Sequence, residues 1–210
     1  MIKVVIADDH AIVRQGLKQL LLMQHNMAVV GEAANHVEVM HTLRHHEVDT
    51  LLLDIAMPGR NGIDTLKQLR PEFPKLPVLI LSMYPENQYA IRALKAGASG
   101  YLTKMAAADQ LVEAIRQITA GRKYITTELA QSLADHLDGP ADASGYELLS
   151  DREFQTLRLI ASGKSLMQIG AAMSISPKTV SVYRSRLLAK LRLANNAELT
   201  RYAFEQQLVQ

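Results

Sequence analysis

The chain has 210 residues, 48% apolar and 21% charged, with a formal net charge of +2, so it can bury one large core or two small ones. It has no cysteine, which excludes a disulfide framework, a thiolate metal site and a thiol nucleophile. Its apolar runs fall well short of a membrane span, and Met1 leads straight into a strand-like run with no basic leader, so a soluble, cytoplasmic protein is expected.

Residues 2–7 are an apolar strand ending in Asp8-Asp9-His10, and residues 11–23 show helical spacing. Residues 27–33 are a second strand, and residues 37–43 are helical. The run from Val48 to Leu53 is too short for a helix and delivers Asp54 to its end, where Met57-Pro58-Gly59 breaks the chain and Asn61-Gly62 adds a turn signal. A helix over 63–69 stops at Pro71. A strand over 76–81 ends at Ser82, a helix over 87–95 closes at Gly97, a strand over 98–103 ends at Lys104, and a helix over 111–118 closes at Gly121. Strands alternating with helices at this spacing predict a doubly wound α/β domain with a five-stranded parallel sheet.

In that fold Asp8, Asp9, Asp54, Ser82 and Lys104 all fall on the carboxyl edge of the sheet, where ligands bind in open α/β domains. A lone Asp54 would also serve as a cap for the helix near Ile63. Three carboxylates converging there repel one another unless a cation lies between them, and oxygen donors without thiolate suit a hard divalent ion, Mg²⁺ foremost. A hydroxyl and an ammonium beside the metal suit a bound anion. Together they make a phosphoryl site. His41 and His45 have helical ligand spacing but no third ligand, and are read as a solvated helix face.

The segments Ala7-Asp8-Asp9-His10, Leu53-Asp54-Ile55-Ala56-Met57-Pro58-Gly59, Leu81-Ser82 and Gly100-Tyr101-Leu102-Thr103-Lys104 resemble the receiver domain of two-component response regulators over residues 1–121. The resemblance implies that Asp54 is the phospho-acceptor and that Asp8, Asp9, Asp54 and the Ala56 carbonyl hold Mg²⁺. It implies further that Ser82 and Lys104 contact the phosphoryl oxygens and that Tyr101 is a switch whose rotamer follows Ser82. Met105 stands where such domains commonly have Pro after the Lys, so a cis peptide is not expected there.

Residues 122–146 are a linker: a helix over 126–137 capped by Thr126 or Thr127, then the turn-rich Asp138-Gly139-Pro140-Ala141-Asp142-Ala143-Ser144-Gly145, read as a flexible hinge. Residues 147–210 carry nine Lys and Arg against five Asp and Glu, a charge of +4, whereas the first 146 residues sum to −2. A basic small segment beside a slightly acidic larger one suggests a polyanionic partner for the former. Short helices are predicted over 151–161, 166–173, 177–192 and 197–207. Ser150 and Glu153 form a capping box, and Ser174-Ile175-Ser176-Pro177 makes the turn of a helix-turn-helix.

Leu149-Ser150-Asp151-Arg152-Glu153, Leu159-Ile160-Ala161-Ser162-Gly163-Lys164-Ser165, Ile175-Ser176-Pro177-Lys178-Thr179-Val180 and Ala189-Lys190-Leu191 resemble the LuxR-type output domain, and with the receiver they resemble the NarL/FixJ subfamily. The resemblance implies that Ser181, Val182, Ser185 and Arg184 face bases in the major groove of double-stranded DNA. Lys178, Thr179, Arg186 and Lys190 would hold phosphates. The helix over 197–208 could pair two output domains or pack on its own. Gly170, Tyr183 and Arg192 depart from the usual Ala, His and Gly. The expected function is a transcriptional regulator, phosphorylated by a sensor histidine kinase and dimeric when phosphorylated. Two rivals remain at this point. One is a Mg²⁺-dependent phosphohydrolase on the same sheet edge, and the other is an output domain that binds protein rather than DNA.

Overall fold

The computed structural model describes residues 1–138, 145–206 and 208–209. The chain divides into two compact units, Met1–His136 and Leu137–Gln210. In the first, β1 (Ile2–Ala7), β2 (Met27–Ala33), β3 (Thr50–Asp54), β4 (Val78–Ser82) and β5 (Gly100–Thr103) form one all-parallel sheet in the order β2-β1-β3-β4-β5. Every residue of β3 and β4 is buried. These central strands are covered on both faces, which is why their sequence runs apolar without alternation.

Five helices join the strands: α1 (Ala11–Leu22), α2 (His36–His45), α3 (Gly62–Leu69), α4 (Glu86–Lys95) and α5 (Ala108–Thr119). Leu21 of α1 and Leu111, Val112, Ala114, Ile115 and Ile118 of α5 share a core with Val4, Ile6, Leu52, Leu79 and Leu81. The alternate strand residues Val5, Leu51, Leu53 and Ile80 are buried on the opposite face. There α2 lies so close to β2 that a Cβ on Gly31 would stand 2.4 Å from Thr42 Cγ2.

Element ends differ from expectation for local reasons. The fourth strand begins at Val78 because Pro77 has no N–H to give the ladder, although its carbonyl accepts from Leu51 N at 3.0 Å. Asn35 caps α2, accepting from Val37 N and Glu38 N, and Asn61 caps α3, accepting from Asp64 N. The alternative role for Asp54 as a helix cap is therefore filled by Asn61. Beyond α5, Tyr124 forms a single parallel bridge with Gly100, which extends the β5 edge. Helix α6 (Thr127–Asp138) follows; Thr126 caps it, accepting from Leu129 N at 3.2 Å while donating to the Glu86 carboxylate of α4. Residues 139–144 of the expected hinge lie outside the described residues.

In the second unit a 3-10 turn, Gly145–Leu148, which the sequence did not announce, precedes the helices. Then come α7 (Asp151–Ala161), α8 (Leu166–Met173), α9 (Pro177–Leu191) and α10 (Asn196–Glu205). The Ser150–Glu153 capping box is present, with Ser150 N donating to Glu153 Oε2 at 2.8 Å. A second box joins Ser165 and Gln168. Ser176 caps α9 with Pro177 in its first turn. At the α8–α9 turn a Cβ on Gly170 would lie 2.7 Å from the Ile175 carbonyl oxygen, so the glycine permits a closer approach than alanine would. Helix α9 ends one residue earlier than expected. Arg192 adopts the left-handed conformation at φ 55°, the position where glycine is the usual helix stop. The core gathers Phe154, Leu157, Ile169, Met173, Val180, Leu187, Leu199 and Ala203. Tyr146 N donates to the Tyr202 hydroxyl at 2.7 Å, which fastens the turn to α10.

Candidate phosphoryl-acceptor pocket and nucleic-acid interface

The strand order reverses between β1 and β3, so the crevice at their carboxyl ends is where a doubly wound sheet takes its ligand. The sequence places its acids there. Asp8 directly follows β1 and Asp54 ends β3; each side chain is 1% exposed. Lys104, just past β5, reaches between them, with Nζ 2.5 Å from Asp8 Oδ2 and 2.9 Å from Asp54 Oδ2. It lies off the line of a hydrogen bond, so Asp8 Oδ2, Asp54 Oδ1 and Asp54 Oδ2 are buried oxygens without an aligned donor among the described residues.

Burial pushes the Asp54 carboxyl above its ordinary value, and Lys104 pulls it partly back. Burial pulls the Lys104 ammonium down, but Asp8 and Asp54 outweigh it and hold the ammonium above its usual value, firmly protonated. One oxygen or ring nitrogen from each of Asp8, Asp9, His10 and Asp54 lies within 4.8 Å of the others. This cluster is dominated by hard oxygen donors drawn close together at a buried edge, so it fits a small divalent cation. Ala56 is exposed on the loop beyond β3.

Ser82 is buried at the end of β4, and its Oγ accepts from Tyr84 N at 3.0 Å. The Tyr101 ring is fully buried, and its hydroxyl donates to the Tyr84 carbonyl at 2.8 Å. Ser82 and Tyr101 are thus connected through the Tyr84 backbone, whose ring stacks on Tyr89 of α4 at 5.0 Å. The Lys104–Met105 bond is trans, as expected. His41 and His45 stack on each other with centroids 4.1 Å apart, and neither belongs to a three-ligand group among the described residues.

Two further groups adjoin the pocket: His10, which the sequence left open between a role beside the acids and a plain loop residue, and Arg14, which carried no signal. His10 Nδ1 stands 2.7 Å from Asp9 Oδ1 and 3.3 Å from Asp8 Oδ1. Arg14 donates through Nη1 to the Asp8 carbonyl at 2.7 Å and through Nε to Glu32 at 3.3 Å. The Arg14–Glu32 pairing joins α1 to β2 18 residues further on, so nothing in local spacing reveals it.

In the second unit α9 buries Val180 and Leu187 and turns Lys178, Val182, Ser185 and Arg186 outward, with Thr179, Ser181 and Arg184 half-buried. Lys178, Ser181, Val182 and Ser185 fall on one stripe at helical spacing. Two candidates are also engaged within the unit. Arg184 Nε donates to Asn196 Oδ1 at 2.5 Å, and Lys190 Nζ lies 2.6 Å from Glu153 Oε2 and 3.2 Å from the Leu148 carbonyl.

The family model for the response regulator receiver domain matches residues 4–116, and the model for bacterial regulatory proteins of the luxR family matches residues 147–203. The chain is 35% identical to the oxygen regulatory protein NreC of Staphylococcus carnosus over 214 residues, 99% of both chains. It is 34% identical to the response regulator UvrY of Escherichia coli K12 over 209 residues, 99% of this chain and 96% of the other. Among solved structures it is similar to RcsB of Salmonella enterica serovar Typhimurium bound to promoter P1flhDC in the presence of the phosphomimetic BeF3−. That match has a TM-score of 0.68 and 27% identity over 96% of this chain and 97% of that one. None of these comparisons favours a phosphohydrolase, and Ala56 leaves no acid two residues after Asp54 to protonate a leaving group. A receiver pocket joined to a luxR-family helix-turn-helix places the chain in the NarL/FixJ family of two-component response regulators, the DNA-binding transcription factors controlled by phosphorylation.

Proposed function

We propose that Asp54 takes a phosphoryl group from a sensor histidine kinase in the cytoplasm and that the aspartyl phosphate drives pairing of two chains on double-stranded DNA. The observation that carries this is the Lys104 ammonium reaching between two buried carboxylates, 2.5 Å from Asp8 and 2.9 Å from Asp54. An Asp54 oxygen attacks phosphorus in line, and the bond from phosphorus to the donor nitrogen breaks, its electron pair leaving with the donor. Lys104, already 2.9 Å from Asp54, meets one phosphoryl oxygen. Asp8, Asp9, Asp54 and the Ala56 carbonyl would hold Mg²⁺, which when bound neutralises the phosphoryl oxygens. The Ser82 hydroxyl gives up the Tyr84 amide for a phosphoryl oxygen, and Tyr101 follows as the Tyr84 carbonyl shifts. The same pocket admits water to hydrolyse the acyl phosphate, so the only chemistry is the protein's own phosphorylation and dephosphorylation.

On the output side Ser181, Val182, Ser185 and Arg184 read base edges, while Lys178, Thr179, Arg186 and the remaining ammonium hydrogen of Lys190 position the helix on phosphates. The division of the chain is receiver 1–121, linker 122–146 and output domain 147–210. The test is incubation with acetyl phosphate and Mg²⁺ followed by peptide mass spectrometry. A gain of about 80 Da on Asp54 is expected, and no adduct or an adduct elsewhere would overturn the assignment. Beryllofluoride should raise both dimerisation and DNA affinity, and that affinity should fall steeply with salt. A salt-independent affinity would favour a protein-binding output domain instead.

A further inference from the structure

The Asp8-Asp9-His10 segment lies between β1 and α1, outside any ladder, so its direction depends on a few bonds. Asp8 N donates to the Ala33 carbonyl at 3.0 Å, and His10 N donates to Asp8 Oδ1 at 2.9 Å. The Asp8 carbonyl is held by Arg14 Nη1 at 2.7 Å. The other edge of that guanidinium meets Glu32 Oε2 at 3.3 Å, and Glu32 Oε1 is taken by Lys18 at 2.8 Å. Glu32 is in β2, paired in register with Ile6, so it is fixed by the sheet itself. Arg14 is only 18% exposed.

We infer that Arg14 is a positioning residue for the acidic pocket: it clamps the Asp8 peptide against the end of β2 and so aims Asp9 at the cation. This rests on the proposal that Asp8 and Asp9 hold the metal. The planar fork suits the task, because one group must bond a carbonyl and a carboxylate in fixed relative directions. A lysine is a point charge on a flexible stem and can satisfy one of the two. Groups that orient metal ligands are typically worth tenfold to a hundredfold in metal affinity.

Charge and position make opposite forecasts, which renders the inference testable. The guanidinium is a positive charge near the pocket, so if only its charge mattered, Arg14→Gln would tighten cation binding. If its aim matters, Arg14→Gln weakens binding, Arg14→Lys weakens it although the charge is kept, and Glu32→Gln weakens it by loosening the clamp from the far side.

The experiment is a Mg²⁺ titration of the full chain followed by amide NMR shifts around Asp54, with the thermal midpoint of each metal-free variant measured in parallel. The expected result is a dissociation constant raised about tenfold or more in Arg14→Gln and Arg14→Lys, with Glu32→Gln raised in the same direction. Midpoints of the metal-free forms stay within a few degrees, because Arg14 and Glu32 both keep partial contact with water and neither fills the apolar core. Unchanged or tighter binding in Arg14→Gln or Arg14→Lys overturns the inference while leaving the metal site standing. Weakening that merely tracks a collapsed midpoint overturns it as well. Wild-type protein that binds no Mg²⁺, or whose binding survives Asp9→Asn, sinks the metal site and the clamp together.

Discussion

Lys190→Met removes one ammonium and keeps most of the aliphatic stem. The Glu153 side chain that it leaves behind is 4% exposed and keeps a bond from Ser150 N at 2.8 Å. Breaking a fully buried ion pair from one side costs about 3–5 kcal/mol. The Lys190 side chain is 41% exposed, so water already screens the pair, and about 2 kcal/mol is the better figure. For a unit of this size that corresponds to a fall in midpoint of about 10 °C. Burial pushes the Glu153 carboxyl up, but Lys190 and the Ser150 amide hold it below the ordinary carboxylate range. A depressed carboxyl stabilises the fold above its unfolded value of 4.5, and that contribution is lost as pH falls through the folded value. The gap between wild type and Lys190→Met should therefore narrow below about pH 4.5. The assay is urea unfolding of the full chain followed by NMR signals of Phe154 and Leu187. In a Glu153→Gln background, Lys190→Met should cost under about 0.5 kcal/mol. Equal cost in both backgrounds would refute the pairing and leave Lys190 as a plain phosphate contact.

Other outcomes follow from the same geometry. Asp54 is raised by burial, and a raised carboxyl stabilises only below its unfolded value of 3.8, a benefit lost as pH rises through the folded value. Asp54→Asn should thus raise the thermal midpoint at pH 7 without Mg²⁺ and lose that advantage toward pH 3, by calorimetry; no gain at neutral pH would count against the pocket's burial. Gly62→Ala would place a Cβ 2.1 Å from the Asp54 carbonyl oxygen and 3.0 Å from Ile55 Cα, both backbone. It should cost at least about 2 kcal/mol in urea and slow phosphorylation of Asp54. Arg192→Gly relieves a left-handed residue and should stabilise the output unit by about 0.5–1 kcal/mol in the same titration, without altering DNA affinity.

The sheet could be read from the sequence because its central strands are buried on both sides and each ends in a polar residue. The same pattern delivers Asp8, Asp54, Ser82 and Lys104 to one edge of the sheet. The helix caps at Ser150 and Ser176 were legible because their partners stand three residues away. Asn35 went unremarked and Asn61 was read only as part of a turn, although both cap by the same rule, and the β4 start was set two residues early because Pro77 was not weighed. Tertiary pairings were hidden for a different reason. Lys190 and Glu153 are 37 residues apart, and Tyr202 and Tyr146 are 56 apart, so only the packed helices bring them together. Lys190 was accordingly assigned to phosphates alone, and the 3-10 turn from Gly145 went unseen because Tyr202 is what fastens it.

The Asp54 carboxylate ends a strand laddered on both sides, Leu53 against Ala7 and Asp54 against Leu81. Such a residue has nowhere to travel. If Asp54 takes the phosphoryl group as proposed, the sheet holds it still, and the adjustment falls to the Ser82–Tyr84 loop, where the Tyr84 amide meets Ser82 Oγ and the Tyr84 carbonyl meets the Tyr101 hydroxyl. On that reading the strand serves as an anvil, and the message leaves through the loop that gives.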